Sequence, residues 1–169
     1  LMLSAIISDT LLFKSPTCTV CDVKAGKELA EIAGVNLEEY GLEMLKAGTA
    51  LGNKSEAELI NMDMKVFDID CKKIGVAQVH TVNEEEVLKR EAKLVEEIKK
   101  ISSEKGLEFF MFVITNILTN DSVAIVTGNG NDYIEKAFNS KVENGLVTLK
   151  GVVSRKKQII PPLTKAIQS

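Results

Sequence analysis

Residues 154–157 read Ser-Arg-Lys-Lys and place three consecutive cations directly after the β-branched run 147–153 and directly before Ile159-Ile160-Pro161-Pro162. Arg155 offers a planar fork of N–H donors that fits phosphate oxygens two at a time, and Lys156 and Lys157 add mobile point charge. The chemistry this points to is the gripping of an anion. The competing reading is a solvated cluster at the edge of a sheet that discourages aggregation. Lys65 shares the face of a predicted strand with Phe67 and Ile69, where an ammonium either snorkels to solvent or serves a ligand. Asp9 lies inside the apolar run 1–13, and a carboxylate in such surroundings must be paired, hydrogen-bonded or bound to a hard cation. Capping and ligation are both open for it.

Other chemically suggestive residues carry less. His80 is the sole histidine, sits near the end of a predicted strand as a satisfied or surface imidazole, and cannot form a metal site alone. Cys18-x-x-Cys21 stands at a predicted helix start, where a thiol pKa can fall, but nothing else supports redox chemistry. The loop Thr127-Gly128-Asn129-Gly130-Asn131 lacks the Walker pattern and the full dinucleotide fingerprint and reads as a tight turn.

Composition bounds the partners. The 169 residues are 45% hydrophobic and 27% charged, an ordinary soluble globular balance, with net charge −3 and pI near 5.4. That balance argues against nucleic acid as a partner, which calls for a basic excess, so an anion site must be local. The run 1–13 is interrupted by Ser8-Asp9-Thr10 and falls short of the roughly 20 residues that span a bilayer. It also lacks the basic flank of a signal peptide. No membrane partner is expected, and three cysteines without a second cluster fit a reduced, cytoplasmic setting. Because Met is the second residue, the native start is expected upstream.

The elements that must position these residues follow from periodicity. An apolar helix over 3–14, buried all round, is followed by a helix to residue 33 that Thr19 and Asp22 cap and Gly34 ends, then by one from 37 to 50 capped by Asn36. Gly52-Asn53-Lys54-Ser55 marks a boundary, beyond which strands and helices alternate. There the spacing predicts a short helix over 56–60 and a hairpin of strands 64–69 and 74–82 around a turn at 70–73. One helix over 83–105 follows, then central strands 108–115 and 122–126, a helix over 132–138, a strand over 147–153 and a terminal helix over 163–167. Pro161 and Pro162 are expected to stop regular structure.

Three of these segments, Ser8-Asp9-Thr10 within residues 4–17, Lys65 within Asp63-Met64-Lys65-Val66-Phe67, and Ser154-Arg155-Lys156-Lys157-Gln158, resemble in order and spacing the family II, manganese-dependent inorganic pyrophosphatases of the DHH phosphoesterase superfamily. The resemblance covers the whole chain. It implies an α/β fold, with residues 1–50 as the helical tail of a DHH catalytic domain and 51–169 as a DHHA2 substrate-binding domain whose mixed β-sheet is flanked by helices. It also implies that Asp9 is a metal ligand and that Lys65, Arg155 and Lys156 bind pyrophosphate. Mn²⁺ or Co²⁺ are the implied cofactors, with Mg²⁺ carried by the substrate, and the parent is expected to be a cytoplasmic homodimer. The family's other aspartates and histidines are missing from this sequence, so the chain reads as a C-terminal fragment without turnover of its own. An exopolyphosphatase of the same superfamily and a non-catalytic phosphate-binding or regulatory module are the alternatives.

Overall fold

The computed structural model describes residues 1–48 and 51–169. The chain forms two compact units, Leu1–Ala50 and Leu51–Ser169.

The first unit holds helices α1 (Met2–Thr10), α2 (Val20–Ala33) and α3 (Leu37–Gly48). Thr19 and Asp22 form a reciprocal capping box at the start of α2, and Gly34 closes it with φ 64°. The Asn36 side-chain carbonyl accepts from Glu38 N and Glu39 N at 3.0 and 3.2 Å and so starts α3. Its predicted end at residue 50 lies outside the described residues.

The first helix is shorter than its sequence predicts. It stops at Thr10, and Leu11, Leu12 and Phe13 follow with φ of 49, 54 and 65°. Thr10 Oγ1 donates to Ile6 O at 2.6 Å and accepts from Phe13 N at 3.1 Å, so the hydroxyl competes with the helical ladder. Left-handed geometry costs about 1–2 kcal/mol for each non-glycine residue. What offsets it is packing into two glycine niches: a Cβ at Gly41 would lie 2.4 Å from Leu12 Cδ1, and one at Gly26 2.5 Å from Phe13 Cζ. Nor is α1 buried all round; Leu3, Ile7 and Thr10 are buried while Met2, Ala5 and Ser8 are exposed.

The second unit is a five-stranded mixed sheet in the order β1 (Met64–Ile69), β2 (Lys72–Thr81), β3 (Phe109–Asn116), β4 (Asp121–Gly128), β5 (Leu146–Leu149). Only β2 and β3 run parallel; the other neighbours are antiparallel. Helices cover both faces, making this an α/β fold. Helix α4 (Glu56–Asn61), α5 (Glu84–Leu88) and α6 (Glu91–Lys105) pack on the face that carries Ala77, Val79, Phe110, Phe112 and Ile114. Helix α7 (Asn131–Phe138) and α8 (Ile160–Ile167) cover the face of Val76, Met111, Val113 and Ala124. Every residue of β3 is buried, which explains its unbroken apolar run.

Three further expectations are corrected. The hairpin turn is Asp70-Cys71 alone, both with positive φ (48 and 62°), the two-residue geometry that matches strand twist. The helix predicted over 83–105 is two helices, with a break at Lys89-Arg90 where Arg90 Nε donates to Glu56 Oε1 at 2.9 Å and Nη2 to Lys54 O at 2.6 Å. The last strand ends at Leu149 rather than 153, because Gly151 turns the chain with φ 68°. The cations therefore do not extend from a strand.

Candidate functional site

Residues 154–157 enter a wide helical turn, Arg155–Ile159, in which Ile160 N–H reaches back five residues to Arg155 O. Pro161 and Pro162 follow inside the first turn of α8, where missing N–H groups cost little. They start this helix rather than stopping the chain, contrary to the sequence expectation. Having no N–H, they also cannot give Lys157 O and Gln158 O the usual helical bond. Wide turns of this kind recur at functional sites.

A polar lattice holds the approach to that turn. Gln158 Oε1 accepts from both Val153 N and Ser154 N at 3.0 Å, and its Nε2 donates to Gly151 O at 2.7 Å. Asp121 Oδ1 accepts from Gly151 N at 2.8 Å. From beneath, Ser122 Oγ donates to Val152 O at 2.6 Å and Gln78 Nε2 to Val153 O at 3.0 Å. Thr115 Oγ1 joins them, 2.8 Å from each of Gln78 Nε2 and Ser122 Oγ. Gln78, Thr115 and Ser122 are buried, so each of these bonds also satisfies a group that water does not reach.

Arg155 is the anchored cation. Its Nη2 donates to Asp63 Oδ1 at 2.7 Å, and its Nη1 donates to Asp63 O and, at 3.4 Å, to Val76 O. Its side chain is 11% exposed and that of Asp63 48%. A guanidinium carries five N–H donors; among the described residues these contacts engage three, and the other two, Nε–H and one Nη2–H, share a single edge of the plane. That edge has the geometry of a bidentate phosphate fork.

Lys65 stands opposite Val76 in the β1–β2 register, so strand pairing brings Lys65 and Arg155 to the same point of the sheet. Lys65 lies on the face of Phe67 and Ile69 and is exposed, as is Lys156. Neither forms an ion pair among the described residues. His80 stands further along β2 and is half-buried. Burial pushes its pKa below the ordinary imidazole value, and the Arg155 charge acts in the same sense; Asp63 and the Val153 carbonyl oppose both.

Asp9 belongs to the first unit and is exposed rather than buried. It lines a cleft of about 630 Å³ with Ser8, Thr10, Thr17 and Asp22. One oxygen of the Asp22 carboxylate, Oδ2, accepts from Thr19 N and Thr19 Oγ1 at 2.8 and 2.7 Å, which hold its pKa low. Among the described residues no three His, Cys, Asp or Glu side chains are grouped to hold a metal ion. The residues present thus do not fit a complete metal centre.

Comparison with known proteins places the fold. Residues 42–166 match the DHHA2 domain. The chain belongs to the DHHA2 domain family. This DHHA2 chain is 59% identical over 167 residues to the manganese-dependent inorganic pyrophosphatase of Bacillus subtilis, a match that covers 99% of the chain and 54% of that protein. It superposes with a TM-score of 0.87 and 46% identity on a chain described as a family II inorganic pyrophosphatase of Methanococcus jannaschii, over 99% of this chain and 54% of that one. The chain thus spans about half the length of the curated relatives it matches. The family match reaches back to residue 42, inside α3.

Within the DHHA2 domain, sequence reasoning missed Asp63, Gln78, Thr115, Ser122 and Gln158. Asp63 stood beside Lys65 without a visible role. Gln78 was the one detectable case, an amide inside the apolar strand 74–82 that must find partners when buried.

Proposed function

We propose that this chain is the substrate-gripping C-terminal half of a cytoplasmic, manganese-dependent inorganic pyrophosphatase that works as a homodimer. The observation that carries the reading is the 59% identity, along nearly the entire chain, to a protein of that name. In this reading Arg155 presents its Nε–Nη2 edge to the phosphate oxygens of pyrophosphate, and Lys65 and Lys156 add charge. Such cations neutralise the oxygens of the transferring and departing phosphates as the anhydride bond breaks. Asp9 contributes one carboxylate to a Mn²⁺ or Co²⁺ centre whose other ligands come from outside this sequence, and Mg²⁺ accompanies the substrate. Residues 1–50 then form the tail of the metal-binding DHH domain and 51–169 the lobe that grips the anion.

The test is phosphate release by the full-length polypeptide supplied with Mn²⁺, measured with pyrophosphate and with long-chain polyphosphate. Turnover of pyrophosphate in preference is expected. A strong polyphosphate preference would instead mark an exopolyphosphatase, and no hydrolysis of either would leave a phosphate-binding module.

A further inference from the structure

Asp63 is an odd neighbour for a phosphate-gripping arginine. Its negative charge lowers the local positive potential that an anion would feel, so it cannot be there to raise affinity by charge. The Asp63 side chain is 48% exposed, so screening by water also discounts what the pair adds to stability. What it does supply is direction. Two acceptors of one residue, the Asp63 carbonyl and carboxylate, take Nη1 and Nη2 together, while Val76 O takes the remaining Nη1 hydrogen. Three acceptors, two from the turn just before β1 and one from β2, fix a plane. The Asp63 carbonyl is itself fixed, since it accepts from Gln78 N at 3.3 Å at the start of the hairpin pairing. Gln78 in turn donates to Val153 O, two residues before Arg155, so one strand segment registers both the backbone that carries the guanidinium and the residue that orients it.

We propose that Asp63 is a positioning residue that aims Arg155, occupying the Nη1–Nη2 edge of the guanidinium so that the Nε–Nη2 edge is held as the fork for a phosphate anion. The proposal rests on the anion-gripping role argued above for Arg155. Asn at this position keeps a side-chain acceptor and the carbonyl but removes the charge, whereas Ala removes the second anchor. Aiming therefore separates the two variants: Asp63→Asn keeps the fork in place, and Asp63→Ala frees it to swing.

The test begins with this chain as it stands. The Arg155 Nε–H resonance is followed by ¹⁵N NMR during titration with pyrophosphate, in the unsubstituted chain, Asp63→Asn and Asp63→Ala, with backbone spectra and thermal melts showing that each variant is folded. The Nε–H signal is expected to be protected from exchange and to shift on titration in the first two, and to lose both properties in Asp63→Ala. If Arg155 does not respond to pyrophosphate in the unsubstituted chain, the anion-gripping reading fails and the proposal with it. If it responds equally in Asp63→Ala, the reading survives and only the proposal is overturned. In the full-length polypeptide, Asp63→Ala is expected to lower kcat/KM for pyrophosphate by up to about a hundredfold, the scale of a 1 Å misplacement. It should add nothing in an Arg155→Ala background, because the aspartate acts through the arginine. Additive losses would mean a general structural role and would sink the assignment.

Discussion

Gln158 and Val153 are joined by the side-chain amide: Val153 N donates to Gln158 Oε1 at 3.0 Å, and Gln158 Nε2 closes the same loop by donating to Gly151 O. One amide thus ties the start of the wide turn to the loop that precedes it. Gln158→Ala leaves Val153 N, Ser154 N and Gly151 O without these partners, and each net hydrogen bond contributes about 0.5–1.5 kcal/mol. A loss of about 2–3 kcal/mol in urea unfolding is expected, with faster amide exchange at Val153 and Ser154. Gln158→Glu keeps the acceptor and should fall between the two.

Gly151 tests the same loop through its backbone. Its φ is 68°, yet a Cβ there would meet no atom within 4 Å. Gly151→Ala should therefore cost only the left-handed penalty, about 1–2 kcal/mol, without steric repacking elsewhere. Chemical shifts confined to residues near 151 would accompany that loss; a shift pattern reaching the β3 core would contradict the purely conformational origin.

His80 gives the acid limb of stability a definite sign. Its folded pKa lies below the ordinary value, and an unfolded imidazole titrates near 6.5. Above about pH 6.5 both states are neutral and the contribution is complete. As pH falls below that value the unfolded state takes up a proton that the folded state resists, so stability declines until the folded pKa is passed. Melting temperature should drop between about pH 7 and 5, and His80→Gln should flatten that stretch. Asp22, Glu56 and Glu58, whose pKa values are also held low, lose their contributions only below about pH 4.5, so the two limbs separate.

Most helix and strand positions were legible because caps, glycine stops and period-two alternation are local signals. Thr19 with Asp22 and Ser55 with Glu58 make their boxes from residues three apart. The left-handed hook at Leu11, Leu12 and Phe13 was not legible, since its reason lies in glycines of two later helices. Pro161-Pro162 misled for a related reason: the same residue type ends one helix and begins another, and only the preceding turn decides. The odd charges at 154–157 announced a candidate site because they conflict with their apolar surroundings. The groups that hold it did not, because Thr115 meets Ser122 only through the β3–β4 register, and Asp63 meets Arg155 across 92 residues.

The cations of the proposed site should separate by kind when substituted in the full-length polypeptide. Arg155→Lys keeps the charge but loses the planar fork, so about a tenfold fall in kcat/KM for pyrophosphate is expected even at low salt. Lys65→Ala and Lys156→Ala remove exposed point charges, whose contribution should shrink as ionic strength rises above about 0.1 M, where the screening length is near 10 Å. Arg155→Ala and Lys156→Ala should raise KM or lower kcat while leaving Mn²⁺ affinity unchanged, because both residues belong to the proposed anion grip and not to the carboxylate set of Asp9. Manganese binding followed by calorimetry checks this directly: weaker metal binding in either variant would place that cation in the metal site's own environment and contradict the division of labour between the lobes.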